Sequence, residues 1–158
     1  MTLLAWVFPE NFDGPIFHYG GDNLGVHLWV LEGYLFCEFA TRSGIYLSPL
    51  HSGKLNRNAW NFVGASYDYD SGVERIWIEG KVYEEQNVST YELNTTGAVR
   101  MGVLTGDWRF LKGRISCIQV YNKALTEREV HAVRGLCFHK GLFEVIFIHN
   151  KQISLALI

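Results

Sequence analysis

The sequence predicts an all-β sandwich followed by one short C-terminal helix, and three observations carry that expectation. Apolar and polar residues alternate with period two through the first 122 residues, the spacing of strands that bury one face. Turn formers break the alternation about every eight to twelve residues, the rhythm of short antiparallel strands. A capping-box signature, Thr126-Glu127-Arg128-Glu129, follows the last of them.

Strands are expected at residues 2–8, 15–19, 25–31, 34–39, 44–47, 59–67, 73–79, 81–86, 98–103 and 113–121. Asp13-Gly14-Pro15 separates the first from the second, and Gly20-Gly21-Asp22-Asn23 the second from the third. Glu32-Gly33, Asp70-Ser71-Gly72, Glu79-Gly80 and Thr105-Gly106-Asp107 punctuate the rest. Glycine supplies the positive φ of tight turns, and Asp or Asn tolerates it. In the helix, Thr126 accepts from the amide of Glu129 while the Glu129 side chain reaches back, Val130 and Val133 form the apolar stripe, and Gly135 is expected to end it. Beyond Cys137 the character changes, and Leu142-Phe143-Glu144-Val145-Ile146-Phe147-Ile148 is strongly strand-forming but belongs to no earlier pattern.

A length of 158 residues suits one domain, and 48% hydrophobic with 15% aromatic residues argues for a packed core over disorder. The 14 Lys plus Arg against 16 Asp plus Glu, with no basic block, remove the footprint of a nucleic-acid binder. The longest apolar run, residues 3–8, is far short of the ~20 needed for a membrane span. It also lacks the basic region and cleavage site of a signal peptide, so secretion would require a leader upstream. Cys37, Cys117 and Cys137 form no CxxC pair, and the six His show no metal-ligand spacing. Cys37 reads as a small buried hydrophobe. Cys117 and Cys137 are the candidates for a disulfide in an extracellular setting.

Three blocks in order carry a family resemblance. They are Leu4-Ala5-Trp6-Val7 with Gly14-Pro15-Ile16-Phe17-His18-Tyr19-Gly20, then residues 58–68 with Ser71-Gly72 and Arg75-Ile76-Trp77-Ile78-Glu79-Gly80-Lys81-Val82, then residues 110–126. Together they resemble the laminin G-like module of the concanavalin A-like lectin/glucanase superfamily, over about residues 2–134. The resemblance implies a jelly-roll sandwich of two antiparallel sheets. Residues 1–137 would form this domain and 138–158 a tail. Members normally begin with a strand before the Ala-Trp-Val strand, so one sheet here is expected to lack a strand. Residues 142–148 would fill that gap by strand addition to the open edge, unless the tail is an accidental extension.

The chemistry follows. Glucanases of this fold carry Glu-x-Asp-x-x-Glu, a run missing from this chain; Asp68, Asp70 and Glu74 are the nearest imitation, and Asp70 reads as a turn residue. Ile16-Phe17-His18-Tyr19 and Val26-His27-Leu28-Trp29 around Asp22-Asn23 are similar to pentraxins, which implies a Ca2+ ion held by Asp22, Asn23 and Asp107. The alternative is that these are ordinary turn residues. Loop-borne acids, amides and aromatics also suit sugar binding, so Asp22, Asn23, Asp107, Trp108 and Arg109 form a candidate ligand rim. Trp108 is expected to be exposed, and Trp6 and Trp60 to be core. Trp29 and Trp77 could instead share an outer sheet face with His27 and Arg75. Asn87-Val88-Ser89 and Asn94-Thr95-Thr96 are glycosylation acceptors in one stretch expected to be exposed. The sequence thus points to a non-enzymatic extracellular module that binds glycans or glycoproteins. The alternative is a structural or adhesive module without a small-molecule site, and a glycoside hydrolase stands third.

Overall fold

The computed structural model describes residues 1–21, 24–136, 145–149 and 152–156. Twelve strands and one helix are present among them: β1 (Thr2–Pro9), β2 (Gly14–Gly21), β3 (Leu24–Leu31), β4 (Tyr34–Phe39), β5 (Leu50–Lys54), β6 (Asn61–Asp68), β7 (Val73–Ile78), β8 (Lys81–Asn87), β9 (Ala98–Met101), β10 (Gly113–Tyr121), α1 (Glu127–Val133), β11 (Val145–His149) and β12 (Gln152–Ala156). They make two sheets, a seven-stranded one ordered β12-β11-β10-β1-β6-β7-β8 and a five-stranded one ordered β5-β4-β3-β2-β9. This is the all-β two-sheet sandwich with one short C-terminal helix that the alternation predicts. Every pairing is antiparallel except β10 with β11, which is parallel.

Alternation turns every second side chain inward. Leu3, Ala5 and Val7 of β1 meet Val63, Ala65, Tyr67 and Ile76 in their own sheet, and Ile16, Val26, Leu28, Val30, Leu35 and Cys37 in the other. The outer face of the seven-stranded sheet is covered too: Leu4, Phe62, Trp77 and Tyr121 pack under Leu125 and Val130. Trp6 and Val133 flank this second cluster, so Val130 and Val133 do form the helix stripe. The Trp6 indole donates to the Arg134 carbonyl at 3.2 Å, and the Arg134 guanidinium lies 5.2 Å from the Trp6 ring centre and pairs with Glu79.

Two local expectations fail, and one edge strand lies where none is expected. Residues 44–47 are not a strand, because Thr41 accepts from the Ile45 amide through its hydroxyl at 3.1 Å and donates its own amide to the Ile45 carbonyl at 2.8 Å, leaving one bridge, Ala40 to Tyr46. The edge strand β5 lies instead at Leu50–Lys54, where Gly53 holds φ 75° and a Cβ would meet the Ile78 side chain at 1.9 Å. The helix ends at Val133 with Arg134 as its C-cap, so Gly135 stands just past the end as expected, though without the positive φ of a left-handed cap. Trp60 is exposed, not core, at the start of a strand beside Phe8.

A bulge marks the β1–β10 pairing between Leu4 and Trp6, with Cys117 at φ 53°. Beyond the helix, Gln119, Val120 and Tyr121 of β10 pair with Ile146, Phe147 and Ile148 of β11. Residues 142–144 of the expected tail strand lie outside the described residues.

Candidate ligand-binding site

Because Val26, Leu28 and Val30 point inward, His27, Trp29 and Leu31 take the outer face of the five-stranded sheet, opposite the core. Register then assembles a patch. His18 of β2 faces His27, which faces Glu38 of β4; Trp29 faces Phe36, which faces His51 of β5. The His18 and His27 rings meet edge to face at 4.4 Å, and His27 stacks toward Trp29 at 6.3 Å and 16°. The Tyr46 hydroxyl and His27 Nε2 share a hydrogen bond of 3.0 Å.

The loop between β9 and β10 closes one side. Leu104 is buried, and its carbonyl accepts the Asp107 amide at 3.2 Å. Arg109 donates to Asp107 Oδ1 through its backbone amide at 2.8 Å and through Nε at 3.0 Å, and to Oδ2 through Nη2 at 2.6 Å. That fork holds the guanidinium 4.5 Å from the centre of the Trp29 ring. A shallow pocket of about 280 Å3 results, with Trp29, Leu31, Phe36 and Leu104 as apolar walls and His27, Glu38, Asp107 and Arg109 as polar ones.

Environment sets the charges. The Arg109 hydrogen bond holds the Asp107 carboxyl below its ordinary range. Burial raises the Glu38 carboxyl and pushes the Tyr46 phenol up to about 12. Burial also lowers the His18 imidazole, whose ring nitrogens are enclosed; the Gly20 backbone lies close to the ring without meeting hydrogen-bond geometry.

Of the residues the sequence points to, Asp107 and Arg109 come together here. Trp108 is 83% exposed on the same loop and does not line the pocket. Asp22 and Asn23 lie outside the described residues. Trp29 and His27 do share an outer face, as alternation allows, whereas Trp77 is buried under the helix. Phe36, Glu38 and Leu104 carry no sequence signal beyond their strand parity or loop position. As for calcium, both Asp107 oxygens are engaged by Arg109, and among the described residues no group of three His, Cys, Asp or Glu could hold a metal. The other two expected calcium ligands, Asp22 and Asn23, lie outside the described residues.

The other candidates have structural occupations. Asp68 accepts from the Ser71 hydroxyl at 2.6 Å and the Asp70 amide at 3.3 Å, so Asp68 caps the turn and Asp70 stands in it. Glu74 is buried, accepts from Gln86 Nε2 at 2.6 Å and from the Tyr91 hydroxyl, and burial raises its carboxyl. Cys37 is free and buried, with its thiol pushed well up by burial. Cys117 is disulfide-bonded, and Cys137 lies outside the described residues. Asn87 is exposed, while Asn94 is half-buried and accepts from the Thr96 hydroxyl at 2.7 Å. A second cavity, about 420 Å3, opens at the far end of the sandwich among Tyr19, Tyr67, Tyr69 and Tyr91. Tyr67 and Tyr91 spend their hydroxyls on the Tyr91 carbonyl and Glu74.

Sandwich, helix and outer-face pocket together define a lectin-type β-sandwich. The chain belongs to the Laminin_G_3 family of the Concanavalin A-like lectin/glucanases superfamily, which matches residues 1–131. No curated protein matches the sequence. Among solved structures, a Bacteroides ovatus protein described as a candidate carbohydrate-binding protein is similar at TM-score 0.66 and 17% identity, over 98% of this chain and 43% of that one. The CBM40 of a Ruminococcus gnavus sialidase, bound to sialyllactose, is similar at TM-score 0.64 and 18% identity, over 85% of this chain and 82% of that one. A heptameric pentraxin from Limulus polyphemus is similar at TM-score 0.65 and 16% identity, over 84% of this chain and 68% of that one. At these identities the likeness is one of fold. The chain spans less than half the length of the Bacteroides protein.

Proposed function

We propose that the protein is a non-enzymatic, extracellular carbohydrate-binding module, and that the outer-face pocket of the five-stranded sheet is its site. One observation carries the reading: a guanidinium fixed by Asp107 lies on the Trp29 ring beside the partly buried carboxylate of Glu38. A sugar presents hydroxyls that both donate and accept, and an apolar ring face. Arg109 donates, Glu38 accepts, and Phe36 with Leu104 supplies apolar wall. The tyrosine-lined cavity offers fewer such groups because Tyr67 and Tyr91 already use their hydroxyls internally. The carbohydrate-binding descriptions of the Bacteroides and Ruminococcus proteins support the same class. Calcium-assisted binding stays with Asp22, Asn23 and Asp107, and it requires Asp107 to release Arg109.

A glycan array, run with and without chelator, tests this. Binding that survives chelator and falls at least about tenfold in Arg109→Ala and Glu38→Gln is the expected result, since a hydrogen bond to a charged group contributes roughly 1.5–3 kcal/mol. Binding should also weaken as the pH falls through the raised pKa of Glu38, because protonation removes its acceptor charge. Binding lost in chelator assigns the calcium-assisted site. A flat array from folded protein favours the adhesive module, and reducing sugar released from β-glucans would make it a hydrolase.

A further inference from the structure

The end of the sandwich where β1 finishes and β10 begins carries an unusual surface. Loops 10–13, 55–60 and 102–112 emerge there together, since Pro9 pairs with Gly113 and Val7 with Asn61. Backbone and amide contacts lock them into one platform. The Asn11 side chain donates to the Phe110 carbonyl at 2.9 Å and accepts from the Lys112 amide at 3.0 Å, and Arg57 Nε donates to the Glu10 carbonyl at 2.8 Å. On this platform Phe12 is 47% exposed, Trp60 41%, Trp108 83% and Phe110 55%. Scattered apolar side chains on a surface need no explanation, but four large exposed aromatics on three loops at one end of the sandwich do.

Cations sit on two of these rings. Arg57 lies 4.9 Å from the centre of Phe12, and Arg114 lies 3.9 Å from Phe8 and 5.6 Å from Trp60. Lys54, Arg57, Arg109, Lys112 and Arg114 stand against Glu10, Asp13, Glu32 and Asp107 at this end, a small cationic excess in a chain whose net charge is -2. Exposed Trp and Phe rings with Arg and Lys beside them match a bilayer interface, where rings enter at the headgroup level and cations take the phosphates.

We infer that this end of the sandwich is a peripheral docking surface for an anionic phospholipid bilayer, with Phe12, Trp60, Trp108 and Phe110 entering the interface and Arg57 and Arg114 binding headgroup phosphates. The inference stands independently of the sugar pocket, because Phe12, Trp60, Arg57 and Arg114 do not line it.

The test is co-sedimentation of the full chain with vesicles of phosphatidylcholine alone and of equal parts phosphatidylcholine and phosphatidylserine, together with tryptophan emission. Association with the anionic vesicles only, a blue shift that disappears in Trp108→Ser with Trp60→Ser, and weakening with added salt are expected. Arg57→Gln with Arg114→Gln should reduce partitioning at least about tenfold, at roughly fivefold per neutralised cation. Glycan binding in Arg57→Gln with Arg114→Gln should stay unchanged, which separates this surface from the pocket. Absence of binding to anionic vesicles, or binding unchanged in the variants, overturns the inference. So does capture by immobilised heparin without vesicle association, which would assign the surface to a sulfated polysaccharide.

Discussion

His18 shows how one buried side chain couples this fold to pH. Its ring is enclosed between β9, where Arg100 is its register partner, and β3, where His27 is; Glu38 and Tyr46 lie beyond His27. Burial lowers its folded pKa below the ordinary 6.5. Between those two values the unfolded chain binds a proton that the folded chain does not, so stability rises with pH there. Its contribution is full above pH 6.5 and declines as the pH falls through the folded value. Glu38 and Glu74, both raised by burial, act with the opposite sign above 4.5. Comparing melting against pH for His18→Leu and the parent isolates the histidine: the variant should lose less stability on acidification below 6.5, and identical slopes would reject this account. At the same scale, Trp60 shows that an aromatic in a strand-like run need not be core. β6 begins at Asn61, so Trp60 stands just before the strand with its ring beside Phe8.

Among the elements, α1 was the most legible, because its start is written locally. Thr126 accepts the Glu129 amide at 3.3 Å, and Glu129 accepts the Thr126 amide at 2.8 Å. Hydrogen bonding to Lys123 and then to Thr126 pulls the Glu129 carboxyl down to about 2. Its stabilising effect is present above the ordinary 4.5 and is lost as the pH falls toward 2. Thr126→Ala should cost about 1 kcal/mol. Differential scanning calorimetry should place the melting point roughly 2–4 °C lower. An unchanged melting point would mean that packing of Val130 and Leu125 on Trp77 holds the helix without its cap. β5 is the contrary case. Leu50 is its buried apolar anchor, Gly53 interrupts it at positive φ, and only the presence of β4 beside it makes it a strand. Propensity offers no local sign of such an edge.

On the scale of the molecule, β10 would be an open edge of the seven-stranded sheet without β11, and unpaired edges invite aggregation. We propose that the tail protects this edge of β10. Deleting residues 139–158 should then lower both the melting point and the solubility; unchanged values in scattering and calorimetry would show the tail to be dispensable.

The sequence by itself determined the sandwich, most strand positions and the helix cap, because alternation, turn chemistry and capping are properties of neighbouring residues, and its three motif blocks carried the resemblance to the family. It also marked Asp107 and Arg109, which are two positions apart and pair within one loop. Only the tertiary structure decided that α1 covers the seven-stranded sheet while the loop before β10 covers part of the outer face of the five-stranded sheet. Trp29, Phe36 and Glu38 join Arg109 there because β3 and β4 share a register and the loop before β10 folds back over them. That meeting joins residues about seventy to eighty positions apart along the chain, and nothing in the local pattern of either segment encodes it.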